Sequence, residues 1–138
     1  MSPELDKKLC EEFPLIFAQR NESPERTAMC WGFECGDGWY DLLNMLCINI
    51  QTHCEYNPDI PQVVAMQVKE KYGTLRFYAH GVDEYISGVI SMTELMSGRI
   101  CESCGNKGTK RYDGWVRTRC NSCERIEDVG QDQNVYLF

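Results

Sequence analysis

Leu5, Leu9 and Phe13 recur at four-residue intervals behind Ser2-Pro3, and Pro14 ends the run. A hydroxyl cap followed by proline at the first helical position predicts a helix start, and the spacing lays one apolar stripe along that helix. Residues 19–29 are polar and contain Ser23-Pro24-Glu25-Arg26, the composition of a loop or a brief helical turn. A second stripe follows in Trp39, Leu42, Leu43, Leu46, Cys47 and Ile50, with Asp37 placed to cap a helix running to about Cys54. Asn57-Pro58-Asp59-Ile60-Pro61 then breaks the pattern.

Beyond the breaker the period changes from helical to alternating. Residues 63–69 and 74–79 predict a hairpin joined through Glu70-Lys71-Tyr72-Gly73. Alternation turns Met66 and Val68 inward with Leu75 and Phe77, and leaves Lys69 and Arg76 at the wet edge. A last helix is expected from about Asp83 to Ser97, its inner side made of Ile86, Val89, Ile90, Thr93 and Met96, with Gly98 as its C-terminal cap. The fold class is therefore α+β: two or three helices on a small antiparallel hairpin or sheet.

After Gly98 the apolar pattern gives way to cysteine. Cys101-x-x-Cys104 and Cys120-x-x-Cys123 have the spacing by which two tight turns present four thiolates to one tetrahedral ion. Gly105 suits a turn that needs positive φ, and Asp113-Gly114 reads as a two-residue hairpin turn between Thr109–Tyr112 and Trp115–Thr118. Residues 99–125 are thus predicted to be a zinc ribbon holding one structural Zn²⁺, following an acidic body over residues 1–98. A closed set of four cysteines leaves no open position for water or substrate. An iron–sulfur cluster is the less favoured occupant. Residues 126–138, acidic and then apolar, are expected to be mobile or to dock their hydrophobic end.

Charge divides along the same line. The chain carries −7, but residues 99–125 hold seven basic side chains against three acidic ones, leaving −11 on the rest. An acidic body repels nucleic acid at long range, while the ribbon can touch it locally through Lys110, Arg111, Trp115, Arg117 and Arg119. Nothing approaches about 18 consecutive apolar residues, so no membrane span is expected. The start of the chain lacks the pattern of a secretory signal, so the nine cysteines are read as reduced thiols in a cytosolic compartment.

The stretch from Cys30 to Tyr40 mixes glycine, aromatic rings, acids and cysteine. Cys30 and Cys35 could form a second metal site with His53 and Cys54, but we read the two cysteines as small buried hydrophobes beside Trp31 and Trp39. Cys35 could also act as a nucleophile with His53 as base, although no oxyanion arrangement is visible. Trp31, Glu34, Asp37, Trp39 and Asp41 could form a ligand or partner surface, or a cation site, against the plainer reading of a solvated helix start.

Two blocks, Met29–Tyr40 and Val68–Tyr78, followed by Asp83–Ile90 and the ribbon, resemble a group of small proteins encoded by tailed bacteriophages and prophages. The likeness runs from about residue 10 to residue 123, and this chain shortens a segment that is often longer between the first long helix and the hairpin. The resemblance brings no established activity with it. It implies a bacterial host cytoplasm during infection and a role in host takeover or evasion of host defence. The leading expectation is a non-enzymatic interaction protein that binds and modulates a host protein. A nucleic-acid-binding ribbon is the first alternative. The second is a small enzyme or nucleotide-binding protein using Trp31–Asp41.

Overall fold

The computed structural model describes residues 1–124, and the expected tail over 126–138 lies outside them. The fold is α+β. Helix α1 spans Pro3–Glu12, α2 Tyr40–Tyr56 and α3 Glu84–Ser97; strands are β1 Phe33–Glu34, β2 Val64–Lys71, β3 Thr74–His80, β4 Thr109–Arg111 and β5 Arg117–Arg119. Short 3₁₀ turns at Met29–Trp31 and Asp37–Trp39 complete the order. None of the described helices is long and apolar enough to cross a membrane.

Helix starts follow the local chemistry. Ser2 caps α1 by accepting from the Leu5 amide, and Asp83 caps α3 by accepting from the Ile86 amide at 2.9 Å. Asp37 does not cap α2. Its carboxylate instead accepts the Ser2 amide at 2.7 Å, which ties the start of α1 to the turn before α2.

Strands β1, β2 and β3 form one sheet in that order, β1 parallel and β3 antiparallel to β2. The two-residue β1 was not foreseen, being too short to show a period. Alternation along β2 is broken by a bulge at Met66, between the pairs Ala65↔Ala79 and Gln67↔Tyr78. The bulge puts Ala65 and Val68 in the core three residues apart, and Met66, expected inside, is only half-buried. Thr27 Oγ1 donates to the Met66 carbonyl at 3.2 Å, which satisfies a group that the bulge takes out of the ladder.

One hydrophobic core joins all the helices to the sheet through Leu9, Phe17, Trp39, Leu46, Val68, Phe77 and Ile86, among others. Phe17 meets the rings of Phe33 and Phe77 edge-on at 4.9 and 6.5 Å between centroids. Such pairs add about 0.5–1.5 kcal/mol beyond the area they bury. The buried stripe of α3 is Ile86, Ile90, Thr93 and Ser97, so Met96 faces outward, contrary to expectation. Ser97 takes the inner place because its hydroxyl accepts the Leu75 amide at 2.8 Å, at the edge strand.

The hairpin β4–β5 pairs Arg111 with Arg117. Residues 112–116 therefore form a five-residue loop, one residue out of register with the expected Asp113-Gly114 turn. Arg117 Nη1 donates to the carbonyls of Asp113 and Trp115 at 3.0 and 2.9 Å, and this side chain fills the wider loop. With this register, the Thr118 side chain is fully buried against the body.

Candidate metal centre

Both cysteine turns are built by backbone hydrogen bonds. Gly105, at φ +82, donates to the Cys101 carbonyl at 2.9 Å, and the Cys101 amide donates to Asn106 O at 2.7 Å. That φ favours glycine, as the sequence suggested. On the second turn the Cys123 amide reaches Cys120 Sγ at 3.4 Å, while Glu124 N donates to Cys120 O at 3.1 Å. An amide aimed at a sulfur is the usual outer support of a thiolate ligand.

The ligand atoms of Cys101, Cys104, Cys120 and Cys123 all lie within 4.8 Å of one another. Cys104 and Cys120 Sγ are 3.6 Å apart. Four thiolates about 2.3 Å from one ion stand roughly 3.8 Å apart along a tetrahedral edge, so the cluster fits a metal ion in a zinc-ribbon-like site.

Within the cluster the thiols ionise unevenly, Cys101 and Cys120 being lowered and Cys104 and Cys123 raised. Burial works against ionisation of Cys101, but the amides of Cys120, Cys104 and Ser103 outweigh it and hold the thiol below its ordinary value. The Cys123 amide leads in bringing Cys120 down to about 6, while the bond with Cys120 leads in pushing Cys123 up to about 12. Sulfurs in contact share protons unevenly, and a divalent ion displaces those protons.

The ribbon is seated in the body along the unusual glycine stretch. Gly38 N donates to Glu102 O at 2.7 Å, Gly36 N to the Glu102 carboxylate at 2.9 Å, and Trp39 Nε1 to Ile100 O at 2.9 Å. A Cβ on Gly36 would stand 2.3 Å from Glu102 O, and one on Gly38 would stand 2.1 Å from Cys101 O. These glycines thus give the ligand-bearing turn its close approach. Burial holds the Glu102 carboxyl above its ordinary value, against the Gly36 amide bond.

Cys30, Cys35, His53 and Cys54, all among the described residues, do not come together as a second metal site. Among the described residues, the four C-terminal cysteines are the only close group of three or more ligand side chains. The Cys30 thiol donates to Thr27 O at 3.2 Å, and His53 Nε2 pairs with Asp83 at 2.7 Å while its ring stacks on Tyr85 at 4.3 Å. Cys54 is half-buried beside the core. Burial pushes the buried Cys35 up to about 12, which suits a small hydrophobe and not a nucleophile.

The expected partner surface is also divided. Trp39 is 0% exposed and belongs to the core, whereas Trp31 is 65% exposed. Glu34, Asp37 and Asp41 are exposed. Gly32 and its neighbours are held by an Arg20–Asp6 pair at 3.0 Å, with Arg20 Nη1 donating to Cys30 O at 2.8 Å.

On the ribbon, two of the expected nucleic-acid contacts are engaged internally. Arg117 pairs with Glu124 and with Asp113, and Arg111 donates to Asn121 at 2.8 Å and faces Glu124 at 3.9 Å. The Arg117 hydrogen bond leads in holding the Glu124 carboxyl below its ordinary value. Lys110 and Arg119 are half-buried, and Trp115 is exposed. Glu124 lies at the far end of the second cysteine turn, so sequence spacing gave no sign that it would gather both arginines. No protein-family model, curated protein or solved structure matches this chain.

Proposed function

We propose that the chain is a zinc-stapled, non-enzymatic interaction protein whose acidic body meets a basic, nucleic-acid-handling protein of a bacterial host. The closed four-sulfur cluster carries this reading. All four ligand positions come from cysteine, the set that favours Zn²⁺ over harder cations and keeps substrate out. The ion's task is then architectural: it fixes the ribbon against the body. Supporting observations are the −11 charge outside residues 99–125 and the exposed Trp31 and Glu34. A bulky indole beside carboxylates is a common anchor for a basic protein surface.

The phage resemblance supplies the setting, a bacterial cytoplasm during infection, and the role, modulation of the host protein or evasion of host defence. The test begins with metal quantification on protein purified from bacteria, where one zinc per chain is expected. Affinity capture from host lysate at moderate salt should then retain a discrete host protein with wild type and lose it with Trp31→Ala plus Glu34→Lys. Capture of no host protein would overturn the interaction reading, and zinc absent from folded protein would overturn the metal.

A further inference from the structure

The tip of the β2–β3 hairpin and the tip of the ribbon hairpin come together. The ribbon is locked there by Thr118 Oγ1, which donates to Gly73 O at 2.5 Å. Between the tips lies a cleft of about 410 Å³ lined by Lys69, Glu70, Lys71, Tyr72, Gly114, Trp115 and Val116. Its two aromatic residues are unpacked: Tyr72 is 69% exposed and Trp115 80%.

Tyr72 is the more telling of the two. Its φ is +51, the only positive value on a non-glycine residue among the described ones. A bulky side chain costs free energy in that region, where asparagine or glycine would sit more easily in a tight hairpin turn. A ring so exposed recovers little of that cost by burial, so packing does not account for a tyrosine at this position.

The charges around the cleft favour an anion. Lys71 Nζ stands 5.9 Å from the centre of the Tyr72 ring, and the Lys110 stem reaches within 3.3 Å of a Cβ built on Gly73. None of Lys69, Lys71 and Lys110 enters an ion pair among the described residues. The nearby acids are turned onto their own loops: Glu70 accepts the Gly73 amide at 3.4 Å, and Asp113 faces Arg117 at 3.5 Å. Two exposed rings, one with the Lys71 ammonium over it, and further lysines outside any ion pair match a planar base with phosphate on either side.

We propose that this cleft binds single-stranded nucleic acid, with a base stacked on Tyr72 and Trp115 and the adjoining phosphates met by Lys69, Lys71 and Lys110. The site stands apart from the Trp31 surface and does not depend on the host-protein reading. It also differs from the ribbon-only set read from sequence, since Tyr72, Lys69 and Lys71 come from the body and Arg111 and Arg117 are engaged elsewhere.

The test is fluorescence anisotropy of the full chain with end-labelled oligothymidylate and oligouridylate of about 12 nucleotides at low salt. Both strands should bind, with log affinity falling against log salt at a slope of roughly 2 for three lysines. Trp115→Ala and Tyr72→Gly should each weaken binding roughly tenfold. Tyr72→Gly supplies the control for folding, because glycine relieves the backbone and should leave the melting temperature equal or higher. Absence of binding to either strand at low salt would overturn the proposal. So would binding that neither variant weakens.

Discussion

The Glu94 carboxylate accepts the Phe77 amide at 2.9 Å, and three residues later the Ser97 hydroxyl accepts the Leu75 amide at 2.8 Å. Alternate amides of edge strand β3 are thereby satisfied by side chains one helical turn apart on α3. The helix takes the place of a fourth strand and closes an edge open to other chains. Replacing Glu94 or Ser97 with alanine leaves a buried or half-buried amide unpaired. Each change is expected to destabilise the fold by about 1–3 kcal/mol in urea titrations. Glu94→Ala should also raise aggregation, measured by light scattering, and the pairing is refuted if both variants unfold like wild type.

Metal content should separate the two cysteine sets. Cys101→Ser removes a buried ligand and is expected to abolish stoichiometric metal binding, whereas Cys54→Ser should keep one ion per chain. Chelation of the wild-type protein should lower its melting temperature. Elemental analysis of the purified variants decides the matter.

Two glycines should respond in opposite directions. Gly38→Ala drives a Cβ to 2.1 Å from the Cys101 carbonyl, a backbone atom fixed by its own turn. Unseating of the ribbon and a loss of roughly 2 kcal/mol or more is expected. Gly88 lies within α3 with nothing within 4 Å of a built Cβ, so Gly88→Ala should stabilise by about 0.5–1 kcal/mol. Chemical denaturation of the pair reads both signs.

The Asp83 carboxyl is held below its ordinary value of 3.8, first by the Ile86 amide and then by His53. A carboxyl with a lower pKa folded than unfolded favours the folded state once ionised. That contribution is complete above the ordinary carboxylate range and disappears as pH falls through 3.8 toward the lower folded value. Asp83→Asn keeps a capping side chain but cannot ionise. Thermal melts between about pH 3 and 7 should show wild type more stable at neutral pH and the gap closing in acid. A gap that stays constant with pH would contradict the assignment.

The parts legible in the sequence were those set by neighbours along the chain. Ser2 and Asp83 announce their helices because a cap acts within three residues, and the cysteine pairs announce the four-sulfur cluster because each pair shares one turn. What stayed hidden depends on partners far along the chain. The Met66 bulge rests on Thr27, Asp37 is drawn to Ser2, and Arg111 and Arg117 converge on Glu124. The glycines at 36 and 38 read only as part of a stretch mixing glycine, aromatic rings and acids until Cys101 and Glu102 were seen against them.

The hydrogen bond from Trp39 to the Ile100 carbonyl places a sequestered indole one residue before a sulfur ligand. Trp31 and Trp115 lie in solvent, so the blue edge of the intrinsic emission belongs to Trp39 alone. Trp39 emission is therefore expected to shift toward the red if the cysteine turn unseats on chelation, and a fluorescence titration of zinc into the stripped protein checks this without any label.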